Sequence, residues 1–187
     1  GHIQRFTSDG TYLDVVSSDR GFIGDARGLD VDAHGNIWVA DTRGGELVKL
    51  QPDGLVLARI AVMPGQHSQP VDVAVDAQGN LFVVEARTAR LLRLTPEGTL
   101  LGSWALSPFN SAEAAHVAVG DKGDLYITQP EQGLVLVLTP DGEPINGWPI
   151  ETNGGIGRAK PVGIAVDDQG IVWVADVDNN TVVALAE

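Results

Sequence analysis

The sequence predicts an all-β fold, a β-propeller of about four four-stranded blades, and three observations predict it. A unit recurs along the chain, with Gly10, Gly54, Gly98 and Gly142 spaced 44 residues apart. A second series, Gly35, Gly79 and Gly123, keeps the same spacing of 44, and Gly170 follows after 47. A glycine fixed at one place in each turn is what a backbone with positive φ selects. Third, each unit holds short Val, Ile and Leu runs bounded by Gly, Asp and Asn, which read as antiparallel strands, and helical periodicity is absent. A repeat of roughly 40–45 residues with four strands is the signature of a propeller blade.

Taken in order, HIQRFTSDGTYLDVV aligns with the second half of a unit, with strand c at Ile3–Phe6 and strand d at Tyr12–Val16. The first full blade is expected over about 20–62, with strands at Leu29–Val31, Ile37–Ala40, Leu47–Leu50 and Leu55–Ile60. Further blades are expected over 63–106 and 107–150, and a last one over 151–187 with strands a, b and c alone. With 1–18 as a partial blade, the 187 residues read as one propeller domain or propeller fragment that begins and ends in mid-blade. Strand b carries one ring per unit, Trp38, Phe82, Tyr126 and Trp173. All four are expected to pack between neighbouring sheets.

Three stretches carry a family resemblance: PVGIAVDDQGIVWVADVDNN, GLDVDAHGNIWVADTRGG and QPVDVAVDAQGNLFVVEART. They resemble the NHL repeat, over nearly the whole chain. The resemblance implies a propeller and says less about activity, because one fold hosts many functions. NHL rings are usually six-bladed, so closure has three routes: a piece of a longer polypeptide, which is favoured, a four-bladed monomer, or subunits that complete one another's blades. Strands c and d from the start could also join a and b from the end.

Composition narrows the partners. With 12 Lys and Arg against 25 Asp and Glu, the net charge is −13, spread along the chain. Nucleic acid and anionic membrane surfaces need a field of the opposite sign, so neither is expected as a partner. No apolar run approaches the roughly 18–20 residues of a membrane span. Cysteine is absent, which excludes disulfides and Cys-ligated zinc. The compartment is left open, with an extracellular or periplasmic setting slightly favoured.

In an up-and-down meander the a–b and c–d turns share one face, and the b–c turns share the other with the d–a connections. The second face varies from unit to unit, which is where sites sit on a rigid scaffold. Strand a opens at Gly28, Asp72, His116 and Gly163, positions expected to ring the channel mouth. The b–c turns open at Asp41, Glu85, Gln129 and Asp176. Asp41 and Asp176 belong to a recurring VAD and are expected to accept backbone hydrogen bonds. Asp72, His116, Glu85 and Gln129 are the ligand-binding candidates, and no catalytic residue is assigned.

The stretch AAHVAVG resembles, at His116, a motif of the NHL-like lyases, the peptidylglycine amidating and streptogramin lyases. That resemblance implies histidines holding or working beside a divalent metal. Only His116 and Asp72 are metal candidates here, short of the three protein ligands of a catalytic zinc site, so no metal site is assigned. GGIG at 154–157 lacks the context of a dinucleotide fingerprint, and DVDNN lacks the later Gly and Glu of an EF-hand. His34 is expected to be solvated in a tight turn, and His67 to pack.

The first functional reading is therefore a non-catalytic binding or scaffolding module without a cofactor, holding an unidentified protein or small molecule on the d–a/b–c face. The alternatives are a metal-dependent lyase-like propeller, with Zn or Ca as the metal, and a sensor or spacer domain of a larger envelope protein. Self-association through blade completion is a further partner reading.

Overall fold

The computed structural model describes residues 2–16, 23–107, 114–151 and 159–186. Among them every regular element is a strand. A two-stranded hairpin of β1 (Ile3–Phe6) and β2 (Tyr12–Val16) comes first. Three four-stranded antiparallel sheets follow. The first holds β3 (Ala26–Val31), β4 (Ile37–Asp41), β5 (Glu46–Leu50) and β6 (Val56–Ala61). The second holds β7 (Pro70–Val75), β8 (Leu81–Glu85), β9 (Arg90–Leu94) and β10 (Leu100–Ala105). The third holds β11 (Val117–Val119), β12 (Leu125–Gln129), β13 (Leu134–Leu138) and β14 (Pro144–Pro149). A three-stranded sheet of β15 (Pro161–Val166), β16 (Val172–Asp176) and β17 (Thr181–Leu185) is last. The architecture is that of a β-propeller, begun and ended in mid-blade.

The repeated glycines set the turns. Gly10, Gly35, Gly54, Gly79, Gly98, Gly123, Gly142 and Gly170 all have φ between +79° and +89°, which side chains with a Cβ rarely adopt. In the a–b turns the aspartate closes the loop: Asp32 Oδ1 accepts the N–H groups of His34 at 3.0 Å and Asn36 at 2.9 Å. Asp76 and Asp167 repeat the device. Such Asx turns favour a hairpin before any tertiary contact forms.

Neighbouring sheets stack through one repeated joint. Trp38, Ala40 and Leu47 of the first full sheet pack on Val73, Leu81, Val83, Leu92 and Leu94 of the second. Phe82, Val84 and Leu91 pack in turn on Val117, Leu125 and Ile127, and Tyr126 and Val135 pack on Val172 and Val174. Ile3 and Val16 of the hairpin cover Ile37, Val39, Val48 and Leu50 of the first full sheet. Each fully buried aromatic or branched side chain contributes roughly 1.5–3 kcal/mol, so these joints carry the stability.

Three expectations are corrected. Trp38, Phe82 and Tyr126 are at most 5% exposed, but Trp173 is 42% exposed, because among the described residues no sheet packs on that face of β15–β17. The β1–β2 hairpin forms its own sheet and does not complete the β15–β17 sheet, so the two ends are not joined in one blade. His34 is exposed as expected, whereas His67 is also exposed, its loop held by Arg87 donating to the His67 carbonyl. The GGIG loop lies outside the described residues.

The first strands of the sheets, β3, β7, β11 and β15, run side by side at the centre. That arrangement brings the strand-a residues of different blades together.

Candidate functional site

The central strands line a cavity of about 390 Å3 that includes Asp30, Asp72, His116 and Gly163. Asp72 on β7 reaches across to the next blade. Its Oδ2 accepts the backbone N–H of Val117 at 2.9 Å and lies 3.1 Å from His116 Nδ1. Asp72 is buried at 7% exposure, while the His116 side chain keeps 32%. The His116 backbone N–H donates to Thr128 Oγ1 on β12, which anchors the start of β11. The sequence therefore places a carboxylate and an imidazole on adjacent blades, and the fold joins them.

Gly28 has a role the sequence reading did not give it. A Cβ there would lie 1.9 Å from Asp72 Oδ1 and 2.6 Å from Asp72 Cα. The Asp72 carboxylate thus occupies the space that a side chain at Gly28 would fill. In the sequence Gly28 reads only as a ring position without a ligand. In the structure it is the cradle of the neighbouring carboxylate.

Asp30, also missed, makes the same kind of tie one blade earlier. Its Oδ2 accepts the Val75 N–H at 2.8 Å, linking β3 to β7. Burial pushes the Asp30 carboxyl above the ordinary range, and the charge of Asp72 adds to this, while the N–H groups of Val75 and Val31 oppose it. A signal was present: Asp30 is the one charged residue in a register otherwise filled by Ala74, Ala118 and Ala165.

Glu85 and Gln129 do not line this cavity. Glu85 is 0% exposed, and its two oxygens accept from the Gln69, Arg87 and Thr88 N–H groups and the Thr88 hydroxyl. Burial alone would raise its pKa, but these hydrogen bonds outweigh burial and hold it below the ordinary carboxylate range. Asp41 does the same for the Gly24, Asp25 and Gly44 N–H groups, and Asp176 for that of Lys160. Glu85 is thus a longer version of the VAD aspartate. Gln129 is 3% exposed, with its Nε2 unpartnered among the described residues.

Among the described residues no group of three His, Asp or Glu side chains is arranged to hold a metal ion. His116 Nδ1 and Asp72 Oδ2 are hydrogen-bonded to each other.

The comparisons with known proteins bear on this geometry. The chain superposes over its full length on selenomethionine-substituted virginiamycin B lyase from Staphylococcus aureus, with a TM-score of 0.67 at 17% identity. It spans 63% of that chain. A catalytically inactive histidine-to-alanine form of the Staphylococcus aureus lyase with quinupristin gives a TM-score of 0.67 at 18% identity, over 98% of this chain and 62% of the other. A streptogramin B lyase gives 0.63 at 20% identity, over 97% of this chain and 70% of the other. At these identities the likeness shows the fold. No curated protein matches the sequence. The model of the virginiamycin B lyase family matches residues 1–186, so the chain belongs to the virginiamycin B lyase family, a β-propeller family.

Proposed function

We propose that this chain is a lyase-type propeller in which His116, held by Asp72, is the acid–base group of the central cavity. The observation that carries the proposal is the contact of Asp72 Oδ2 with both His116 Nδ1 and the Val117 N–H. A lyase breaks a bond by elimination: a base takes a proton and the leaving group departs with the bonding electrons. A carboxylate on Nδ1 selects the tautomer with its proton there, which puts the lone pair of the neutral ring on Nε2. The Val117 N–H fixes the carboxylate, and Thr128 fixes the backbone of His116, so the ring is oriented before a substrate arrives. Family membership supports elimination as the chemistry, and a streptogramin-type cyclic peptide as the substrate class to try first.

The test is incubation with quinupristin, comparing the protein with His116→Ala and Asp72→Asn. Turnover lost in His116→Ala and strongly reduced in Asp72→Asn is expected. Binding without turnover in all three proteins returns the chain to the non-catalytic binding module.

A further inference from the structure

We infer that the outer side of the joint between the β3–β6 and β7–β10 sheets is a binding site for an apolar monocarboxylate, a linear hydrocarbon tail with one anionic head that Arg90 holds. The observation is a double break in the repeat. Where the second and third full sheets carry Trp104 and Trp148, the first carries Ile60. Where the first and third carry Glu46 and Leu134, the second carries Arg90. The fold brings both exceptions to one joint, between two sheets that each have all four strands. The cavity there shares no lining residue with the central one.

The smaller side chain leaves room at this joint. Between the second and third full sheets the Trp104 indole lies over Gly142 in the c–d turn and packs on the buried cluster. One joint earlier Ile60 stands over Gly98 instead, and a cavity of about 520 Å3 extends from Gly98 past Leu92 and Leu100 to Arg90. Val62 and Met63, just after β6, form the facing wall, and among the described residues no acidic side chain lines the cavity. The groove is roughly 13 Å long, because Arg90 precedes Leu94 by four residues on β9 and Leu94 pairs with Leu100. Its volume is that of a small-molecule site, and an unbranched thioether such as Met63 adapts to an occupant. Leu100 is 58% exposed along it, a surface that an apolar tail would cover.

Arg90 supplies the site for the head. Its Nε donates to Ser103 Oγ at 2.5 Å and its Nη2 to the Ser103 carbonyl at 3.0 Å, so β10 fixes one edge of the guanidinium. Among the described residues Nη1 has no partner and Arg90 forms no ion pair. Its cross-strand neighbour Glu85 turns both oxygens to backbone N–H groups and Thr88. A chain with 25 acidic and 12 basic residues thus leaves this cation without an acid, at the end of an apolar groove. The open edge of the fork, Nη1 with the second Nη2 hydrogen, matches a planar carboxylate, which sets a monocarboxylate ahead of a neutral lipid.

The test is isothermal titration of decanoate, kept below its micellar concentration, and of 1-decanol as the neutral analogue. The proteins are the unaltered chain, Arg90→Leu and Ile60→Trp, each substitution copying a residue that another sheet of this chain holds at the same place. One decanoate per unaltered chain is expected, bound roughly tenfold or more weakly by Arg90→Leu and not at all by Ile60→Trp. 1-Decanol is expected to lose no affinity in Arg90→Leu, because it brings no charge to the guanidinium. The absence of saturable decanoate binding to the unaltered chain overturns the inference, as does binding that survives either substitution undiminished. Equal losses of decanoate and 1-decanol in Arg90→Leu overturn it too, since Arg90 would then be wall and not anion site. Arg90→Leu keeps the test decisive if Ile60→Trp does not fold, which the far-UV circular dichroism spectrum reports.

Discussion

Substituting Gly28 by alanine tests whether the site is built by close approach of two strands. The new Cβ would sit 1.9 Å from Asp72 Oδ1 and 2.6 Å from Asp72 Cα, and the second of these is backbone, which cannot rotate away. Either β3 and β7 separate or the carboxylate leaves His116 and the Val117 N–H. Forcing an extra carbon into a packed interior costs about 1–3 kcal/mol. Losing hydrogen bonds to a charged group costs about 1.5–3 kcal/mol. The strand regains about 0.5–1 kcal/mol because alanine is less flexible than glycine when unfolded. The net expectation is a loss of about 2 kcal/mol. For a chain of this size that is a fall in Tm of about 4–8 °C. Urea denaturation followed by circular dichroism measures the loss, and the 15N signals of His116 report whether Nδ1 still meets a carboxylate. A Gly28→Ala protein as stable as the parent, with the His116 signals unchanged, would refute the cradle.

The other joints give sharper contrasts. Glu85→Gln removes a carboxylate whose pKa is depressed in the fold, so its stabilisation is present above the unfolded pKa of about 4.3 and is lost as pH falls through the lower folded value. The expected loss is about 1–3 kcal/mol at pH 7, shrinking toward zero in acid; urea titrations at several pH values check it, and a difference independent of pH contradicts it. Trp38→Ala empties the joint between the first two full sheets, where Trp38 is 1% exposed with the Lys49 ammonium 4.9 Å from its ring. It is expected to cost about 3–5 kcal/mol in the same assay.

Strands and turns were legible because they are local. The eight turn glycines, the DAHGN and PDG signatures and the alternation of apolar residues fix hairpins from within a dozen residues, and the structure places strands β1 and β2 at the predicted residues. The family shown is that of virginiamycin B lyase, and the NHL resemblance located the repeat without deciding the activity. The channel pair was legible in part: Asp72 and His116 were placed on adjacent blades by register alone, and the structure joins them. Gly28 was not legible, because its use depends on a side chain 44 residues away entering its empty space. Glu85 was legible as a departure from VAD but its bonds were not, since a longer acid reaches the equivalent backbone N–H groups of Gln69 and Thr88 only once the connecting loop is in place. Trp173 was misread because a repeat predicts the same environment for each copy, whereas the environment is set by the neighbouring sheet, and among the described residues a sheet covers Trp38, Phe82 and Tyr126 but not Trp173.

The most direct test of the central claim is mass spectrometry of quinupristin after exposure to this protein. Elimination within the ring predicts one ring-opened product of the same mass as the substrate, resolved from it by chromatography and carrying a new carbon–carbon double bond, formed by the unaltered chain and not by His116→Ala. Products carrying an added water, or the same conversion by His116→Ala, would contradict it.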